Sequence, residues 1–218
     1  MTLLRIDASI QGPRSASSAL ADLVQSEYIA AHRDVPVVRR HLGEQPLPSD
    51  AWAAAISGSF ADPTQHTPDQ IAGVALAREL ATELSSADAV ILALPLYNWG
   101  VSQHVKAWID LAIAGAAHGT QLLAGTPVVL LATRGGAYGP GTPKEGWDHS
   151  IDYLRRVLAD VWGADLTVIE RELTLVGVNP ALDQLADLGA AAKEAAESAA
   201  VAAGRALADR TRSQADAA

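Results

Sequence analysis

The chain contains no cysteine. That removes disulfide scaffolds, thiolate nucleophiles and cysteine-based zinc sites together. Positive charge is also scarce. The 16 Lys and Arg are outnumbered by 25 Asp and Glu, for a formal net charge of −9. This balance argues against non-specific binding to nucleic acid or to an anionic membrane surface, while local anion sites stay open. No apolar run approaches the roughly 20 residues of a membrane span. The opening stretch MTLLRIDASI carries Arg5 and Asp7 inside a short apolar run, so it reads as a strand and not a secretory leader. The expected location is the cytoplasm. Several signatures are missing as well: the three-glycine dinucleotide fingerprint, the G-x-x-x-x-G-K-[ST] loop and the G-x-S-x-G elbow. The histidines form no H-E-x-x-H or H-x-H pattern, so no metal is expected. Asp148-His149-Ser150 has the residue types of a hydrolytic triad, but neighbours on one helix cannot face each other as a triad does.

What is present is a globular α/β pattern. At 49% apolar and 19% charged, 218 residues suit one α/β domain with a large core. Short apolar runs at 2–8, 35–41, 89–94, 127–133 and 166–172 predict five strands. Helical periodicity predicts helices over 17–31, 68–85, 102–114 and 147–162, and an alanine-rich one from Pro180 onward that frays past Arg210. Thr67 is the expected cap of the second helix, with Pro68 in its first turn and Ile71, Val74, Ala75, Leu80 and Leu84 expected to point inward. Residues 43–67 hold Pro46, Pro48 and Pro63 and read as a long excursion, helical around 52–56. Five strands alternating with helices predict a three-layer sandwich, with a parallel sheet of order 2-1-3-4-5 and helices on both faces.

In such sheets ligands bind beyond the carboxyl ends of the strands, where the strand order reverses. Three segments there stand out. After strand 1, ASIQGPRSASS places Ser9, Ser15, Ser17 and Ser18 around a helix start, where free N–H groups and the helix dipole favour an anion. A single serine there could equally be an N-cap; four in ten positions shift the balance toward phosphate. After strand 3, PLYNWG sets Tyr97 and Trp99 about Asn98, flat apolar surface with amide hydrogen bonding that suits a planar heterocycle. Trp99 taken alone reads as readily as core. After strand 4, TRGGAYGPG pairs Gly135 with Gly136, where backbone can approach a ligand closely, behind the cation Arg134.

Together these motifs resemble those of the FMN-dependent NADH-azoreductases and NAD(P)H:quinone oxidoreductases of flavodoxin-like fold. D-A-S-I…S-A-S, P-L-Y-N-W and T-R-G-G look like that family's phosphate loop and its two ring-binding loops, in the same order. T-P-D-Q and Y-L-R-R-V-L are similar too, and the likeness spans roughly residues 2–190. The resemblance implies one FMN-binding domain over 1–208 and a frayed tail over 209–218. It implies phosphate contacts at Ser9, Ser15, Ala16 and Ser17, and ring contacts at Leu96, Tyr97, Asn98, Trp99, Thr133, Arg134, Gly135 and Gly136. Arg134 would supply positive charge beside the flavin N1–C2=O edge, where negative charge appears on reduction. Trp52, Phe60 and Tyr138 would wall the acceptor pocket. The implied cycle is ping-pong hydride transfer from NADH or NADPH to quinones, azo compounds or nitroaromatics, in a homodimer with the site at the interface and without nucleic acid or membrane. Ala16, Leu96 and Trp99 depart from residues common in the family, which bears on acceptor choice more than on FMN. Two other readings share the fold: a flavodoxin-type electron carrier, and a flavoenzyme specialised for one biosynthetic intermediate. A phosphoester hydrolase would need a metal or nucleophile constellation that the sequence does not offer.

Overall fold

The computed structural model describes residues 1–217, with side chains through Ala215. Five parallel strands form one sheet in the order β2-β1-β3-β4-β5: β1 (Leu3–Asp7), β2 (Val37–His41), β3 (Ala89–Pro95), β4 (Pro127–Thr133) and β5 (Asp165–Arg171). This is the order expected. The central strands are buried along almost their whole length, which is why they read as unbroken apolar runs without alternation. Period-two geometry then divides their side chains between two cores. Leu4, Ile6, Val90, Leu92, Val128 and Leu130 face α2 (Ala51–Phe60), α3 (Pro68–Ser85), α4 (Gln103–Gly115) and α5 (Ile151–Arg155). Leu3, Ala89, Ile91, Val129, Leu131 and Ile169 face α1 (Ala16–Ala31) and α6 (Ala186–Ala217). The result is the three-layer sandwich.

Local chemistry sets the element ends. Thr67 caps α3 with a full capping box, accepting from the Gln70 amide while the Gln70 side chain accepts from its own. Ser102 caps α4. The helix expected from Trp147 begins instead at Ile151, with Ser150 at the N-cap position and the Asp148 carboxylate accepting the Ser150 and Ile151 amides at 2.7 and 3.1 Å. From Arg156 to Val161 this helix widens into a π turn, closed by the Trp162 amide on the Val157 carbonyl at 2.9 Å. The excursion after β2 is more ordered than its prolines suggest, holding the ten-residue α2. A Cβ on Gly73 of α3 would lie 2.7 Å from the Ala55 nitrogen, so α2 seats on that glycine. That close seat buries Gly73 and Ala77 and leaves Ile71, expected to point inward, 57% exposed.

A short 3-10 turn over Pro180–Leu185 precedes α6, which continues through Ala217. Thr211 is buried, Arg210 pairs with Asp165 at 2.9 Å, and the Gln214 side chain donates to the Gly125 carbonyl at 2.9 Å. Residue 218 lies outside the described residues. Among the described residues, no helix is long and apolar enough to cross a membrane.

Candidate functional site

The carboxyl ends of β1, β3 and β4 open onto a cleft of about 230 Å³. Ser9, Ala16 and Ser17 form one end of it; Leu96, Tyr97, Thr133 and Gly135 form the other. Three segments far apart in sequence are therefore brought to one place.

The serine end is assembled by α1. Ser15 is the N-cap: its hydroxyl accepts the Ser18 amide at 3.1 Å and lies 3.2 Å from the Ser17 hydroxyl. The cap reading and the anion reading are thus both satisfied by one residue, since a hydroxyl that accepts can still donate. Among the described residues, no protein acceptor faces the Ala16 or Ser17 amide. Ser9 Oγ accepts the Gln11 amide at 3.1 Å and keeps its own proton to give. Unpaired N–H groups, hydroxyl donors and the positive end of a 16-residue helix together favour an anion there.

The other end is built from loops locked to one another. The Tyr97 hydroxyl accepts the Ile10 amide at 3.1 Å, which ties the loop after β3 to the loop after β1. Tyr97 and Gly100 exchange backbone hydrogen bonds at 3.1 and 3.0 Å around a tight turn. Its central residues Asn98 and Trp99 both take positive φ, 46° and 67°. Asparagine tolerates that region; a tryptophan held there is strained. The His149 amide clamps the turn by donating to the Trp99 carbonyl at 2.9 Å, and Trp147 packs edge-on against Trp99 with centroids 6.1 Å apart. Trp99 stays 46% exposed, so it is not core. Leu96 and Tyr97 face the cleft, whereas Asn98 lines a neighbouring depression.

The loop after β5 was not legible in the sequence. Leu173, Thr174 and Leu175 donate their amides to the carbonyls of Gly136, Arg134 and Gly135, each at 3.1 Å, so Thr174, Leu175 and Val178 complete the cleft wall. A Cβ on Gly135 would come within 2.7 Å of the Leu175 side chain, so this glycine answers to close packing. The available signal was a run of apolar residues, Leu173, Leu175, Val176 and Val178, lying outside any strand.

The Arg134 side chain does not line the cleft. Its guanidinium is 9% exposed and bound by three carboxylates: Asp148 at 2.6 Å, Glu172 at 2.8 Å and, in contact, Glu170. Burial works against its charge, but Glu170, Asp148 and Glu172 outweigh that and raise its pKa. With its charge more than balanced, only the backbone around it is free to meet a ligand. The amides of Gly135 and Gly136 have no protein acceptor among the described residues. Tyr138 stacks near Arg134 and Lys144, at 5.9 and 5.2 Å, and donates its amide to Glu172. Trp52 and Phe60 stand on α2, 49% and 88% exposed, and do not line the cleft of a single chain.

Comparison with known proteins agrees with this geometry. A profile of the flavodoxin-like fold family matches residues 1–200. The chain is 41% identical over 202 residues to an FMN-dependent NADH:quinone oxidoreductase of Frankia alni, covering 90% of this chain and 95% of that one. It is 40% identical over 213 residues to a protein of the same name from Streptomyces avermitilis, covering 96% and 98%. Among solved structures, an azoreductase from Bacillus anthracis superposes with a TM-score of 0.74 at 20% identity, covering 94% of this chain and 99% of that one, a likeness of fold.

Proposed function

The chain belongs to the family of flavodoxin-like FMN-dependent NADH:quinone oxidoreductases, and from that premise we propose that it binds FMN in the cleft and carries electrons from NADH or NADPH to quinones and to azo or nitroaromatic acceptors. The observation that carries this reading is the meeting, across one cleft, of the unpaired α1 amides with the loops after β3 and β4. The residues present fit the cofactor. Ser9, Ser15, Ser17 and the Ala16 and Ser17 amides would hold the phosphate. Leu96 and Tyr97 give the ring a flat wall, and the close approach at Gly135 leaves no room for a side chain. Bound there, FMN would supply two-electron hydride chemistry between NAD(P)H and the acceptor, and the expected kinetics are ping-pong.

The chain's own part is binding and electrostatics. The Gly135 and Gly136 amides, not the Arg134 guanidinium, would meet the ring edge where negative charge develops. No side chain is required as a proton donor, because solvent can protonate the product. Anaerobic mixing of the FMN-loaded protein with NADH, followed by stopped-flow absorbance, tests the reading. It predicts bleaching of the flavin band and its return on adding menadione; no bleaching by either NADH or NADPH contradicts it.

We also propose a homodimer. Phe60, Ile71 and Ile113 are large exposed apolar side chains on one helical layer formed by α2, α3 and α4, which is the surface a second copy would cover. Sedimentation equilibrium at twice the chain mass is expected; a monomer at micromolar concentration contradicts it.

A further inference from the structure

Arg5 occupies the middle of β1 on the face turned toward α1, where its strand neighbour Leu3 joins an apolar core. It is 1% exposed, and Asp7, two residues on, is fully buried. Every nitrogen of the guanidinium is engaged. Nε and Nη2 donate to Asp7 at 2.8 and 3.0 Å; Nη1 donates to Asp22 at 2.6 Å and Gln25 at 3.1 Å; Nη2 also donates to the Ser18 carbonyl at 3.2 Å. Asp7 accepts a further bond from Arg39 of β2 at 2.9 Å. Burial pushes the Asp7 carboxyl up, yet Arg5 and Arg39 hold it below the usual carboxylate range.

Stability alone does not account for such a group. A buried ion pair can often be replaced by apolar residues without loss. Long-range attraction for a phosphate is not the reason either, because the cations Arg5 and Arg39 are matched by the carboxylates Asp7 and Asp22. What the pair has that leucines would lack is direction. Three of its bonds end on α1, at Ser18, Asp22 and Gln25. The Ser18 amide bonds the Ser15 hydroxyl, which touches the Ser17 hydroxyl. A continuous polar relay therefore runs from the core of β1 to the groups proposed above to hold phosphate.

We propose that Arg5, locked by Asp7, is a positioning residue for the FMN phosphate: it sets the height and rotation of the first turn of α1 so that the Ala16 and Ser17 amides and the serine hydroxyls converge on one anion. This rests on the FMN reading above. It predicts that Arg5 governs the preference for FMN over riboflavin, which has the ring and lacks the phosphate, and leaves ring binding alone.

The test is titration of the flavin-free full-length protein with FMN and with riboflavin, followed by quenching of flavin fluorescence. The wild type should bind FMN at least about tenfold more tightly than riboflavin, the scale of charge-assisted hydrogen bonds to a phosphate. Arg5→Lys keeps the charge and loses the fork; it should narrow that gap about tenfold with riboflavin binding unchanged. Asp22→Asn, at a position 69% exposed, spares the Arg5–Asp7 pair and guards against a folding failure; it should narrow the gap by about threefold. An unchanged gap in folded variants, or equal weakening of both ligands, overturns the proposal. A wild type with no preference for FMN, or with no affinity for either flavin, overturns the FMN reading itself.

Discussion

Arg5 and Arg134 are both buried guanidiniums close to the cleft, and their surroundings differ in kind. Arg5 sits inside a strand, and its side-chain partners all come from the adjoining strand–helix unit, residues 7–25. Arg134 sits just past a strand end, and its partners Asp148, Glu170 and Glu172 lie 14 to 38 residues away on other segments. The serine end of the cleft is thus made by one local unit. The other end is made by four loops that hold one another: Tyr97 on Ile10, His149 on Trp99, and residues 173–175 on 134–136. A site of this form has one end set by a single strand–helix unit and the other set by loops from across the fold.

The largest effect is expected at Arg5. Arg5→Met leaves the Asp7 carboxylate buried without its main partner and should cost about 3–5 kcal/mol, measured by urea unfolding. Adding Asp7→Leu should restore most of that stability, since the apolar pair suits the core, without restoring any preference for FMN over riboflavin. The same pair predicts the acid behaviour. The folded-state pKa of Asp7 lies below its unfolded value near 4, so its stabilisation is complete above about pH 4 and is lost as pH falls through the depressed value. In Asp7→Asn that acid-dependent loss should disappear from the unfolding profile.

Arg134→Met should cost less, about 2 kcal/mol, because Glu170 and Glu172 are 39% and 24% exposed and water screens them. Its signature should be a higher KM for menadione with FMN affinity nearly kept, the reverse of Arg5. If Arg134→Met instead weakens FMN as much as Arg5→Lys does, the division between the two ends fails. Gly135→Ala forces a Cβ to 2.7 Å from Leu175 and should cost about 1–2 kcal/mol; pairing it with Leu175→Ala should recover that loss. Ser15→Ala removes the α1 cap and should cost about 1 kcal/mol in thermal unfolding, with a loss of FMN affinity and none of riboflavin affinity.

The same division explains what could be read from the sequence. Strand order, the α3 cap and the serine loop follow from local pattern, so they were legible. The caps of α1 and α4 are single hydroxyl residues at the start of an apolar period. The fate of Arg134 was not legible, because it depends on which carboxylates the sheet brings to it from β5 and from the segment before α5. The wall at Thr174, Leu175 and Val178 escaped notice because backbone pairing with residues 134–136 leaves no local mark. Trp147 reads as helical by period alone; only the Asp148 side chain shows that the helix starts later. The α3 face was misjudged at Ile71 because close seating on Gly73 has no hydrophobic signal.

Whether this cleft holds FMN is read most directly from the visible spectrum of the purified full-length protein. Flavin absorption bands are expected, with one FMN per chain released into the supernatant by heat. A colourless protein that also fails to take up added FMN would contradict it.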